Sequence, residues 1–128
     1  MSAKFVKDFA IIAMTPTADH SANKGYLVVN SSGSAALNAS ATVAALGVIL
    51  DGEPTTGKDS IGLLGGNLGT VKLKAGGTIT AFTKLQQKND GTVIVDAGTG
   101  SRVIIGMALE AAVNTEIFEA MVWKPEVL

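Results

Sequence analysis

Apolar residues in this chain come in short runs separated by glycine-rich or polar turns, and no stretch longer than ten residues sustains a 3.6-residue period. Phe9 to Met14 is apolar throughout until Pro16 breaks it, as suits a strand buried on both faces or one edge of an interface. Tyr26 to Asn30 is an aromatic-led, β-branched run turned by Ser31-Ser32-Gly33, with Ala35 to Leu37 as the return strand. Ala44 to Leu50 has the Ala and Leu of a helix, but Gly47 and the pair Val48-Ile49 favour a strand. Ser60 to Leu64, Gly69 to Leu73, Ile79 to Leu85 and Val103 to Leu109 follow as strands. Asn89-Asp90-Gly91 turns a hairpin spanning Ala81 to Val95, where Asp-Gly supplies the positive φ angles of a tight primed turn. Glu116 to Trp123 alternates acidic and apolar like a half-exposed strand, and Lys124-Pro125 ends it. The pattern predicts an all-β protein, a small β-barrel or β-sandwich.

The pattern is also written twice. Residues 26–52 and 83–112 both run from an extended segment through a polar-Gly turn into a second extended segment. Each then reaches an apolar-Gly-apolar-apolar-Leu-acid stretch. The offset is 58 residues at the turn (91 − 33) and 59 at the later glycine (106 − 47), so one inserted residue reconciles the copies. Such a period is too long for a solenoid module, and two copies are too few for a propeller. The expectation is one β domain over residues 21–128 with pseudo-repeats near 26–64 and 83–122, preceded by an arm and first strand over 1–20.

Composition bears on the surface. Hydrophobic residues make up 47% and charged residues only 16%, which leaves little polar surface to cover an isolated domain of 128 residues. Oligomerisation, or burial on a larger assembly, is expected. A net charge of −1 with scattered lysines gives no footprint for nucleic acid. The absence of cysteine excludes disulfides and a thiolate nucleophile. The longest near-apolar stretch, Val43 to Leu50, is far short of the ~20 residues of a spanning helix, so no membrane is expected.

Candidate chemistry is sparse. His20 is the one histidine; Asp19-His20-Ser21 has triad residue types, but triad members meet by folding and not by adjacency, and a solvated loop is the expectation. Asp51 and Glu110 occupy equivalent places in the repeats, as polar strand-end residues would. Gly57-Lys58-Asp59-Ser60 mimics the tail of a phosphate loop, but Gly52 sits one residue too near. No catalytic residue, cofactor or metal is predicted, and the chain is expected not to be an enzyme. The large apolar residues instead gather near the two ends, and Phe5, Val6, Phe9, Phe118 and Trp123 are the candidate protein-interface anchors. Lys4, Lys7 and Asp8 surround Phe5 and Val6 with charge, so the arm is expected to order only on a partner.

Asp90-Gly91-Thr-Val, Ile105-Gly106-Met-Ala-Leu109-Glu110-Ala-Ala112 and the closing Glu116-Ile117 to Val122 resemble the decoration, or cement, proteins of tailed bacteriophage capsids. Asn30-Ser-Ser-Gly33 through Gly52 is similar to the first half of such proteins, and Gly69 to Thr80 to their mid-chain stretch, so the resemblance covers about residues 25–123. It implies a structural virion protein made in the bacterial host cytoplasm. As a trimer on the capsid's outer surface, it would reinforce the major capsid protein shell. The Phe-rich start and the His20 loop depart from the family, so no binding residue is carried over. Two other classes stay open. One is a carbohydrate-binding or other interaction β-module, such as a phage fibre or adhesion component, which would want more aromatic platforms than Tyr26 and Trp123. The other is a small β-barrel hydrolase or lyase, which would need a convergent acid–base pair.

Overall fold

The computed structural model describes residues 11–66 and 69–128, and among these there is no helix. The ten strands are β1 (Ile11–Met14), β2 (Leu27–Ser31), β3 (Ser34–Leu37), β4 (Gly47–Asp51), β5 (Asp59–Leu63), β6 (Thr70–Lys74), β7 (Lys84–Gln87), β8 (Val93–Val95), β9 (Val103–Ala108) and β10 (Ile117–Val127). They form two antiparallel five-stranded sheets, ordered β1-β5-β4-β2-β3 and β6-β10-β9-β7-β8. Adding five to each label of the first order produces the second. Each half of the chain therefore builds its own sheet with the same topology, and the duplication extends beyond the hairpins to every described strand.

Both sheets curl on themselves in the same way. The chain just past β1 pairs in parallel with β3 through Pro16 and Ala35, and the chain just past β6 pairs with β8 through Ala75 and Val93. The closing bonds correspond too: Thr17 N–H donates to Ala35 C=O (2.9 Å) as Gly76 N–H donates to Val93 C=O (2.8 Å). Closing the curl pairs backbone groups that a flat sheet would leave on an open edge. Gly47 and Gly106 lie where neighbouring strands come closest. A Cβ on Gly47 would sit 2.5 Å from the Gly62 carbonyl oxygen, and one on Gly106 would strike that of Met121. A glycine inside a strand at such a crossing lets backbone meet backbone.

The turns divide the sequence expectation. Ser31 pairs with Ser34, so Ser32 and Gly33, at φ 51° and 88°, form a two-residue primed turn. In the second copy Lys88 N–H donates to Thr92 C=O (3.0 Å), leaving a three-residue loop, Asn89-Asp90-Gly91, in which only Gly91 has positive φ. Gly91 is at +85°, and a Cβ there would lie 3.0 Å from Tyr26 Cδ2 and 3.3 Å from the Leu27 carbonyl oxygen. Gly91→Val should therefore cost about 1–3 kcal/mol, because a β-branched side chain meets both a forbidden backbone region and a neighbour. Denaturant midpoints that coincide for variant and parent would contradict this.

Two expected boundaries move. The run Ile79 to Leu85 is not one strand: Ile79 makes an isolated bridge to Ala112, the Thr83 hydroxyl donates to the Thr80 carbonyl (2.7 Å), and β7 begins only at Lys84. Pro125 does not end the last strand, which continues to Val127. The ladder with β9 shifts register between Val122 and Glu126, so Pro125 sits where its missing N–H leaves no ladder bond unmade.

Inside the curl, equivalent positions carry the core. Met14, Val28, Ala35, Ile49 and Ile61 fill the first half. Their counterparts Leu73, Leu85, Val93, Ala108 and Ala120 belong to the core of the second. Two more positions break the likeness. Where the second half has Ile79 and Phe118, both 1% exposed, the first has His20 and Asp59, 1% and 0% exposed. The backbone frame is shared: His20 N–H donates to Glu53 C=O (3.0 Å) as Ile79 N–H donates to Ala112 C=O (2.8 Å). Volumes compensate, since Ile49 and Ile61 stand beside the small Asp59, whereas Ala108 and Ala120 leave room for Phe118.

Candidate interaction surface

Among the described residues there is no enclosed pocket, and no group of three or more histidine or acidic side chains is arranged to hold a metal ion. The expectation of a solvated His20 is corrected. His20 Nδ1 donates to Asp59 Oδ2 at 2.5 Å, and Asp59 Oδ1 accepts the Glu53 backbone N–H at 2.8 Å. Burial of a carboxylate is tolerated when its lone pairs are met in this way. The pair ties the start of β5 to the loop after β1, Asp59 also holds the loop after β4 through Glu53, and Gly52 passes so close to the His20 carbonyl that no Cβ fits. It is a structural clasp. Ser21 points elsewhere, its hydroxyl donating to exposed Asp19 (2.6 Å), so the three triad-like residues form no relay. Asp51 is exposed at the end of β4, and exposed Glu110 accepts the Glu119 backbone N–H (2.8 Å).

The five anchor candidates separate. Phe5, Val6 and Phe9 lie outside the described residues. Phe118 lies on the face of β10 that the packing of the sheet turns inward, where it is the largest fully buried side chain of the core and is unavailable to a partner. Trp123, on the opposite face of β10, is half-buried. The same outward face carries Ile117 and Met121, 41% and 40% exposed, and Met121 sits directly opposite Met107 of β9. Cross-strand partners Lys72 and Glu119 make a 3.2 Å ion pair within this face. The Thr70 hydroxyl, with help from Lys72, holds the Glu119 carboxyl below its ordinary range. The result is an apolar patch of Met121, Met107 and Trp123 on the outside of the second sheet, separated from Ile117 by the Lys72–Glu119 pair.

Phe82 is the large apolar residue that sequence reasoning missed. It is 71% exposed and has φ 63°, a left-handed conformation that bulky side chains rarely adopt. Its counterpart in the first half is Gly25, at φ 87°. Gly25 N–H donates to Ile49 C=O as Phe82 N–H donates to Ala108 C=O, both at 2.8 Å. Aligning the repeats one step upstream of residue 26 would have set a phenylalanine against a glycine there and flagged the position.

The two halves pack against each other side by side. The outward face of the first sheet, formed by Leu27, Ala45 and Val48 with Leu50 and Leu64, joins the same core as Val71, Ile105 and Val122 of the second half. Leu27 N–H donates to Gly91 C=O (2.8 Å) and Lys74 N–H to Gly25 C=O (3.0 Å). Gln87, fully buried, locks the seam. Its Oε1 accepts the Ala45 N–H (2.7 Å) while Nε2 donates to the carbonyls of Val43 (2.8 Å) and Ser40 (3.2 Å).

These features define a duplicated all-β scaffold, two like halves joined by one polar-locked apolar seam, with a second apolar face left outside. No protein-family model matches the chain, and no curated protein sequence matches it. No helix among the described residues is long and apolar enough to cross a membrane.

Proposed function

We propose that this protein is a capsid decoration, or cement, protein: a structural component that binds the outer surface of a tailed-bacteriophage shell as a homotrimer and stabilises the major capsid protein lattice. The observation that carries the reading is the apolar patch of Met107, Met121 and Trp123 on the outward face of the second sheet. Exposed apolar residues grouped on one face favour association over solvation, and Trp and Met are efficient contributors when such a surface is desolvated. The repeated turn and the Ile105-Gly106-Met-Ala-Leu109-Glu110-Ala-Ala112 segment, which resembles the phage family, support it from the sequence. Many copies on a symmetric shell turn modest contacts into tight retention through avidity.

The test is co-sedimentation with capsid shells lacking decoration, alongside a glycan panel. Binding to shells and not to glycans is the expected result; the converse pattern removes the proposal. Trp123→Ala should reduce shell occupancy by at least about tenfold, a loss of roughly 1.4 kcal/mol or more at an interface anchor. Its melting temperature should change little. Full occupancy by the variant would exclude Trp123 from the contact.

A further inference from the structure

We infer that the outer face of the second half docks on the first half of another copy of the chain, repeating between chains the contact that joins the halves within one. The inference rests on the homotrimer of the proposed function: it places Met107 and Trp123 in the contact between copies, through which Trp123→Ala would lower shell occupancy. Self-association measured without shells tests it separately from shell binding.

The intrachain seam is heterologous: the two halves contribute different surfaces, although their topology is the same. The first half offers its outward face, centred on Gly25, Leu27, Val48 and Leu64. The second offers the edge of its curl, including Val71, Ile105, Val122, Gln87 and Gly91. A heterologous contact between like units leaves one copy of each surface unused. Both unused surfaces are visible here. The second half's counterparts of the outward face are Phe82, Lys84, Met107 and Trp123, which are exposed or half-buried where their first-half equivalents, Gly25, Leu27 and Val48 among them, are buried. The first half's counterparts of the curl edge are Ile12, Leu46 and Leu63, half-buried where Val71, Ile105 and Val122 are buried. Asn30 is exposed where Gln87 is buried, and Gly33 faces open space where Gly91 is pressed against Tyr26.

These two surfaces are the two sides of a contact the fold already makes, so the occupant of each is the other, on a second copy. Phe82 marks the centre. Gly25, its counterpart, lies 3.1 Å (from an ideal Cβ) from Ile117 Cδ1 and against the Leu73–Lys74 backbone. In the neighbouring chain Phe82 would meet Lys58, Thr15 and Met14, the residues equivalent to Ile117, Lys74 and Leu73. An exposed aromatic held at positive φ is a cost in the isolated chain, and strain of this kind concentrates where a surface is put to use. The adjoining loop is braced for the same task. Arg102 Nε donates to Asp96 Oδ1 (2.6 Å) and Arg102 Nη1 to the Gly100 carbonyl (2.9 Å), so the loop equivalent to the seam residues Ser40 to Val43 is preorganised. Repeating one rotation from half to half produces a ring where it closes.

The chain has no cysteine, so two single-cysteine variants test the geometry directly. Phe82→Cys and Lys58→Cys alter exposed side chains and are mixed as full-length folded proteins under mild oxidation. The concentration is at least about tenfold above that at which the parent associates, because the first variant lacks the Phe82 ring. The expected product is a heterotypic Phe82→Cys to Lys58→Cys dimer, at least about tenfold in excess over either homotypic dimer. In parallel, Phe82→Gly, which accepts the positive φ, should keep or raise the melting temperature while weakening self-association at least about tenfold in sedimentation equilibrium. A parent chain that remains monomeric at the highest soluble concentration overturns the inference. So do cross-links that are only homotypic, and a Phe82→Gly variant that associates like the parent.

Discussion

Replacing Asp59 by Ala lowers the free energy of unfolding by about 3–5 kcal/mol, the expected cost of removing one member of a fully buried polar pair. The variant leaves the His20 imidazole and the Glu53 backbone N–H without their acceptor, in a space that the second half of the chain fills with Phe118. For a chain of this size the melting temperature should fall by roughly 10–20 °C. Asp59→Asn keeps an acceptor for the Glu53 N–H and should recover part of the loss. His20→Ala combined with Asp59→Ala should cost clearly less than the two single changes added together, because the second removal no longer strands a partner. Additive losses, or an Asp59→Ala variant that melts with the parent, would show that the clasp contributes nothing as a pair.

Gly106→Ala and Gly47→Ala should each destabilise the protein by about 2–4 kcal/mol, although alanine for glycine inside a strand ordinarily helps by removing freedom from the unfolded chain. The reversal of sign follows from what the new methyl group meets. At Gly106 it is the backbone carbonyl of Met121, and at Gly47 that of Gly62, 2.5 Å away. A side chain in the way can rotate; a backbone in a hydrogen-bonded ladder cannot move without separating two strands. Chemical unfolding of both variants measures this, and equal costs at the two sites would follow from their equivalence in the duplication. A neutral or stabilising Gly106→Ala would mean that the strands have room to part.

Much of the fold was legible in the chain because β-structure is punctuated by residues with definite backbone demands. Gly33 and Gly91 marked the hairpins, and both have positive φ. Gly47 and Gly106 aligned at the repeat offset, and both lie at a close backbone crossing. The kind of turn was harder to read: Asp90-Gly91 looked like a two-residue primed turn, but pairing of Lys88 with Thr92 makes the loop one residue longer. Pro125 looked like a terminator and was not, since a proline stops a strand only where a ladder bond is due from its nitrogen.

The surface was less legible than the core. Alternation along β10 says that Phe118 and Trp123 face opposite ways, but it cannot say which way is in. Only the packing of the sheet decides that Phe118 is buried and Trp123 reaches the outside. His20 in a run of polar residues gave no sign of burial, because its partner Asp59 lies 39 residues away and the space they share is created by the curl of the sheet. Extending the repeat alignment would have set His20 against Ile79 and Asp59 against Phe118, and so exposed two polar residues at core positions.

The sequence by itself determined the class of structure, the number of copies of the motif and the location of chain reversals. All three depend on local backbone preference and on side-chain periodicity, which neighbouring residues settle among themselves. The tertiary structure alone decided which face of each sheet is buried, which polar residues are paired in the interior and how the two halves meet. Those outcomes depend on close approach between residues far apart in the chain, such as Gln87 with Ser40, Val43 and Ala45. Two copies of one pattern therefore share a fold and yet differ in surface, since a single seam can bury the outward face of only one of them.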